Sequence, residues 1–178
     1  MVRRSSENSN IDKQHTRNTI LKMQMNTPMG QWALQRESDM MTLLDTQFSW
    51  TPISTPKTMP APVDGVMVDT EGEMIFVYET KCRDIDLHQL REWGAYLITY
   101  DKIENGAHAA RLLCVPFVVL VYCVRDNRVV SYRITDARGN ITAPMDIAKT
   151  TTRKNINGDE TIERWNAFIH NDGMKILW

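Results

Sequence analysis

Two apolar segments separated by Glu71-Gly72-Glu73 commit the middle of this chain to a β-hairpin, and the hairpin carries charged residues in an unusual place. The first segment reads Pro62-Val63-Asp64-Gly65-Val66-Met67-Val68 and the second Met74-Ile75-Phe76-Val77-Tyr78-Glu79-Thr80-Lys81. Both have the β-branched and aromatic content of strands, and the acid-Gly-acid stretch is a turn signal. In a strand, residues two apart share a face, so Glu79 and Lys81 project together. Asp64, on the paired strand near the open end of the hairpin, can project beside them. Asp69 is the rival first acid, but pairing places it near Met74, at the turn end and away from Glu79.

Two carboxylates and a lysine held together suggest a particular chemistry. Asp and Glu oxygens suit a hard divalent cation such as magnesium or manganese, which keeps most of its waters and takes one or two carboxylates. A lysine beside such an ion can orient or deprotonate a water and offset charge developing on a phosphate. This is a minimal apparatus for metal-assisted phosphodiester hydrolysis. The ordinary alternative is a solvated Glu/Lys pair at a strand end.

The rest of the chain supplies a plausible scaffold. Cys114-Val115-Pro116-Phe117-Val118-Val119-Leu120-Val121-Tyr122-Cys123-Val124 is too short for a membrane span and reads as a central buried strand. Asp126-Asn127 then turns into Val129-Val130-Ser131-Tyr132-Arg133-Ile134, a second hairpin. Thr27-Pro28 opens a helix through about Asp45, with Thr27 as N-cap and Pro28 at the first helical position. Phe48 to Ile53 alternates like a first strand. Asp84-Ile85-Asp86 starts a further helix, with Leu87, Leu90, Trp93, Gly94, Leu97 and Ile98 at helical spacing, closed by Asn105-Gly106. Pro144–Lys149 reads as a short helix. Asp159–Ile169 reads as a longer one that turns Ile162, Trp165 and Phe168 inward. Residues 1–25 are polar and aperiodic and read as a flexible arm, with a short helix near Thr19-Ile20-Leu21-Lys22. Residues 26–178 read as one domain with a C-terminal helical extension, a reasonable size for a single core. The expected architecture is α/β, a mixed sheet flanked by helices.

Several function classes find no support. There is no Gly-rich nucleoside-triphosphate loop, no Ser-centred elbow, no His pair with zinc spacing and no Cys/His pair placed for covalent catalysis. Cys82, Cys114 and Cys123 lack metal-type spacing and read as free thiols of a reducing cytosol. The N-terminus has no apolar run behind its charges, so it does not read as a secretory signal. A cytoplasmic or nucleoid-associated protein is expected, with no membrane partner. The net charge of −1 says nothing for nucleic acid by itself. Its distribution says more: residues 64–104 are acidic, whereas Arg125, Arg128, Arg133, Arg138, Lys149, Arg153 and Lys154 are basic, as are Arg3, Arg4, Lys13, Arg17 and Lys22.

With these residues in place, the chain resembles the PD-(D/E)XK nuclease superfamily, which includes restriction enzymes, junction resolvases and recombination exonucleases. Asp64 matches the first acidic position, Glu79 the second and Lys81 the lysine, with proline two residues before the aspartate. The resemblance covers about Glu37 to Ile134 and implies a restriction-endonuclease-like αβββαβ core. It also implies a magnesium- or manganese-dependent deoxyribonuclease. Asp64, Glu79 and the Thr80 carbonyl would hold the ion, and Lys81 would position the attacking water. In the RecB-like branch a glutamine in the next helix supports the metal site, and Gln89 matches it, with Trp93 four residues on. Glu37 matches a helical glutamate that reaches the metal in several members, although Asp39 and Asp45 share its helix. DNA is the implied partner. A homodimeric junction resolvase, with Met174-Lys175-Ile176-Leu177-Trp178 as the contact, and a non-catalytic nucleic-acid-binding protein are the alternatives.

Overall fold

The computed structural model describes residues 26–57, 61–153 and 160–178. The expected arm and its helix near Thr19 lie outside the described residues. Helix α1 spans Pro28–Phe48. The Thr27 hydroxyl accepts a hydrogen bond from the Gly30 N–H at 3.1 Å, and Pro28, with no N–H to satisfy, occupies the first turn. Ser49, at φ 54, ends the helix, and its N–H reaches the Asp45 carbonyl. Strand β1 follows at Thr51–Ser54, so Phe48 and Trp50 precede the strand. They stack on each other with ring centroids 4.5 Å apart, and Trp50 also packs edge-on against Phe76.

The predicted hairpin is formed by β2, Gly65–Val68, and β3, Met74–Arg83. Asp69 belongs to its turn: one carboxylate oxygen accepts from the Glu71 and Glu73 N–H groups at 2.9 and 3.0 Å. Strand β5, Phe117–Cys123, is buried along its whole length and lies parallel to β3. Strand β6, Arg128–Arg133, returns antiparallel through Asn127, which adopts the positive φ a tight turn requires. Strand β9, Met174–Ile176, completes a six-stranded mixed sheet in the order β1-β2-β3-β5-β6-β9. The C-terminal tail is thus the edge strand of this sheet.

Residue parity along β3 and β5 assigns the two faces. Phe76, Tyr78, Val118, Leu120 and Tyr122 pack with Met40, Met41 and Leu44 of α1. Val77, Val119, Val121 and Cys123 face the opposite layer. A parallel pair cannot be joined by a tight turn, and the β3–β5 crossover supplies much of that layer.

In the crossover the structure departs from the predicted single helix. Helix α2 covers only Leu87–Glu92. Gly94 at φ 72 ends it, and Ala95–Thr99 forms strand β4. Tyr96 and Ile98 are buried whereas Leu97 is 38% exposed, a two-residue alternation that overrides the helical spacing of the apolar stripe. Helix α3 then runs from Tyr100 to Leu113, so Asn105-Gly106 lies within a helix rather than closing one. Gly106 is there because α3 crosses β5 closely: an added Cβ would clash with the Phe117 ring.

The expected C-terminal helices are strands. Met145–Arg153 is β7 and Thr161–His170 is β8, antiparallel to each other, and β4-β8-β7 form a second, three-stranded sheet. Ala167 and Ile169 are buried, whereas Ile162 and Trp165 are 42% and 57% exposed. The i, i+3 apolar spacing was therefore not a helix face. The competing signals were Thr150-Thr151-Thr152, which favours strand, and Asn157-Gly158 between the two segments. No helix among the described residues is long and apolar enough to cross a membrane.

Candidate functional site

The β2–β3 ladder ends where Gly65 pairs with Tyr78. Gly65 allows that close approach, since a Cβ there would lie 2.5 Å from both the Ile53 carbonyl oxygen and the Tyr78 hydroxyl. Asp64, the preceding residue, donates its own N–H to the Tyr78 carbonyl at 3.0 Å. Beyond that point the edge of β3 has no strand partner from β2, and the Asp64 side chain takes the place of one. Its Oδ2 accepts from both the Thr80 N–H and the Thr80 hydroxyl, each at 2.8 Å.

Glu79 projects from the opposite face of β3 to Thr80, toward α3, and is 1% exposed. A buried carboxylate is costly unless paired, and Glu79 has a cation on each oxygen. Lys81 Nζ lies 2.6 Å from Oε1, and Lys102 Nζ of α3 lies 3.0 Å from Oε2. Lys81 also donates to the Thr80 carbonyl at 2.9 Å. Lys102 stands one helical turn before Gly106, so the close crossing of α3 over β5 is what delivers its ammonium to Glu79.

On the α1 side, Lys57 bridges Glu37 at 2.7 Å and Asp64 at 3.4 Å. Burial disfavours the Asp64 carboxylate, but the charges of Lys81 and Lys57 and the two Thr80 hydrogen bonds outweigh it. Its pKa therefore lies below the ordinary value of 3.8. Burial likewise opposes the charged form of Lys57, and Asp64 and Glu37 more than offset it, raising its pKa.

The structure thus brings Asp64, Glu79, Thr80 and Lys81 together. Glu37 is tied to Lys57 rather than joining them directly. Gln89 sits in the first turn of α2, its N–H bonded to the Asp86 carboxylate, and no hydrogen bond links its side chain to Asp64, Glu79 or Lys81. Lys57 and Lys102 escaped the sequence reading. Lys57 lies in a proline-rich loop, and Lys102 fell at the end of a helix that the structure divides. Among the described residues, no group of three or more His, Cys, Asp or Glu side chains converges on a single metal position. The thiols of half-buried Cys82 and buried Cys123 are pushed up to about 12, chiefly by desolvation, which disfavours the thiolate at both.

The lowered Asp64 pKa has a measurable consequence. A carboxylate whose pKa is lower folded than unfolded contributes stability above its unfolded pKa and loses it as pH falls through the folded value. The stability difference between wild type and Asp64→Asn should be full above about pH 5 and shrink steadily below about pH 4. Thermal unfolding of both proteins across that range checks this; a difference independent of pH would contradict the charge assignment.

No protein-family model, curated protein or solved structure matches this chain.

Proposed function

We propose that the protein is a metal-dependent nuclease of the PD-(D/E)XK type, with a restriction-endonuclease-like core, hydrolysing DNA phosphodiester bonds. The observation that carries this reading is the convergence of Glu79 Oε1 and the Thr80 carbonyl oxygen on one cation, the Lys81 ammonium, beside Asp64. Two carboxylates and a carbonyl form an all-oxygen donor set. That suits magnesium or manganese, which take one or two carboxylates and retain waters. A bound ion would supply charge stabilisation at the scissile phosphate. Asp64, Glu79 and Thr80 are the residues to hold it, and Glu37 and Gln89 are at most supporting groups.

The chain's own side chains do the remaining work. Thr80 and Lys57 hold the Asp64 carboxylate in place, with its side chain 20% exposed. Lys102 retains a charge on Glu79 Oε2, so Lys81 is able to leave Oε1 and turn its ammonium to a water or to a phosphate oxygen. A positioned proton donor or acceptor of this kind contributes about 10²- to 10⁴-fold to rate.

A second reading, a nucleic-acid-binding protein without catalysis, is favoured by the pairing itself: Glu37, Asp64 and Glu79 are each satisfied by a lysine. Incubation with linear duplex, single-stranded, circular and four-way-junction DNA separates the two. Magnesium or manganese should support cutting, calcium should permit binding without efficient hydrolysis, and a chelator should abolish cutting. No cleavage of any of these substrates with either active metal would leave the binding reading.

A further inference from the structure

Beyond Lys81, β3 ends at Arg83, and Arg83 lies between two open cavities. One, of about 430 Å³, is walled by Trp93, Tyr96 and Arg83. The other, of about 890 Å³, is walled by Trp32, Arg36, Arg83 and Arg153. Arg83 lines both, so the two cavities meet at this side chain, two residues beyond Lys81 of the candidate site. Arg83 follows Lys81 by two residues on the same face of β3, and Arg36 precedes Glu37 on α1.

The chemistry of this surface is cationic and aromatic. Among the described residues, three guanidinium groups line the larger cavity against one carboxylate, Asp84, which is itself paired with Arg125 at 3.3 Å. Arg36 stands over the Trp32 ring at 5.9 Å while bonded to Asp39, and Arg83 stands over the Tyr96 ring at 5.7 Å. Trp93, at the end of α2, is 50% exposed. The Tyr96 hydroxyl is buried and has no hydrogen-bond partner among the described residues.

We infer that this surface binds a single strand of nucleic acid, its phosphates on Arg83, Arg36 and Arg153 and an unpaired base against Trp93. Arginines that follow a backbone, interleaved with aromatic faces, are the recurrent form of single-strand sites. Charge complementarity selects a polyanion. The tryptophan face selects the single strand, because a duplex keeps its base faces stacked on one another and offers only edges. The inference deepens the nuclease reading, since a strand lying here leads to Lys81, but binding does not require cleavage.

Fluorescence anisotropy on the full chain in calcium, with a labelled oligothymidylate and a labelled blunt hairpin duplex, tests it. The single strand should bind more tightly than the duplex. Trp93→Ala should weaken single-strand binding by about 5- to 150-fold, the range for one stacked base. Arg83→Gln and Arg153→Gln should each lower the slope of log affinity against log salt by about 0.7. Should Arg83→Gln fail to fold by circular dichroism, Arg153→Gln and Trp93→Ala carry the test. Equal binding of duplex and single strand, or wild-type affinity in the folded variants, would overturn the inference. Groove-dependent binding with no cleavage in magnesium or manganese would remove the nuclease reading and leave the inference standing. Cleavage that is indifferent to these variants would do the reverse.

Discussion

Lys81→Ala should lower DNA cleavage by about 10²- to 10⁴-fold while leaving the fold and nucleic-acid binding intact. The size of the effect follows from the loss of a positioned ammonium beside the two carboxylates. Survival of the fold follows from the second cation on Glu79: with Lys81 gone, Lys102 still lies 3.0 Å from Oε2, so the buried carboxylate is not left unpaired. Asp64 loses one attractive charge and keeps Lys57 and both Thr80 hydrogen bonds. Lys81→Arg should not restore the rate, because a larger planar guanidinium fork does not put a compact point charge where the Lys81 ammonium meets Glu79 Oε1 and the Thr80 carbonyl. Initial rates on labelled DNA, with a thermal melt of each variant, make the comparison. A folded Lys81→Ala protein that cuts at the wild-type rate would remove this centre from the mechanism.

Phe117→Ala should cost about 3–5 kcal/mol, the largest stability effect expected from a single substitution here. The ring is fully buried in the layer that joins the two sheets, with α3 lying across it. Gly106→Ala on its own should also destabilise. The methyl group gains about 1 kcal/mol of helix propensity, but it must displace the Phe117 ring, and overpacking a core costs about 1–3 kcal/mol. Combining them should reverse that sign. With the ring removed, the methyl group added by Gly106→Ala enters the vacated space, so this substitution should stabilise the Phe117→Ala protein. Chemical denaturation of the wild type, both single variants and the double variant closes the cycle. Simple additivity would show that Gly106 and Phe117 are not in contact, and the placement of Lys102 would lose its explanation.

The elements legible from the sequence are those whose signals are local. The Thr27-Pro28 cap, the turn at Glu71-Gly72-Glu73 and the Asn127 turn are each specified by a few neighbouring residues, and the structure has all three. The unbroken apolar run of β5 could only be interior. The parity that puts Glu79 and Lys81 on one face is likewise a property of any strand. The elements misread were those whose pairing partners are distant. Tyr96 and Ile98 become a strand because Ile169 and Ala167 lie opposite them, far along the chain. The segment after Glu160 has a helix-like spacing of apolar residues, and hydrogen bonds to β7 and β4 decide against it.

The candidate site divides along the same line. Residue order alone placed Asp64 at the open end of a hairpin, with Glu79 and Lys81 emerging beside it. What the sequence could not state is which groups balance those charges, because Coulomb forces act through space between residues unrelated by local spacing. Lys57 arrives from a loop and Lys102 from a helix whose approach depends on a glycine packed against Phe117. The strand parity was determined by the chain itself; the lysines around Asp64 and Glu79, and the arginines gathered at the end of β3, were decided only by the packing of helices and a second sheet on the first.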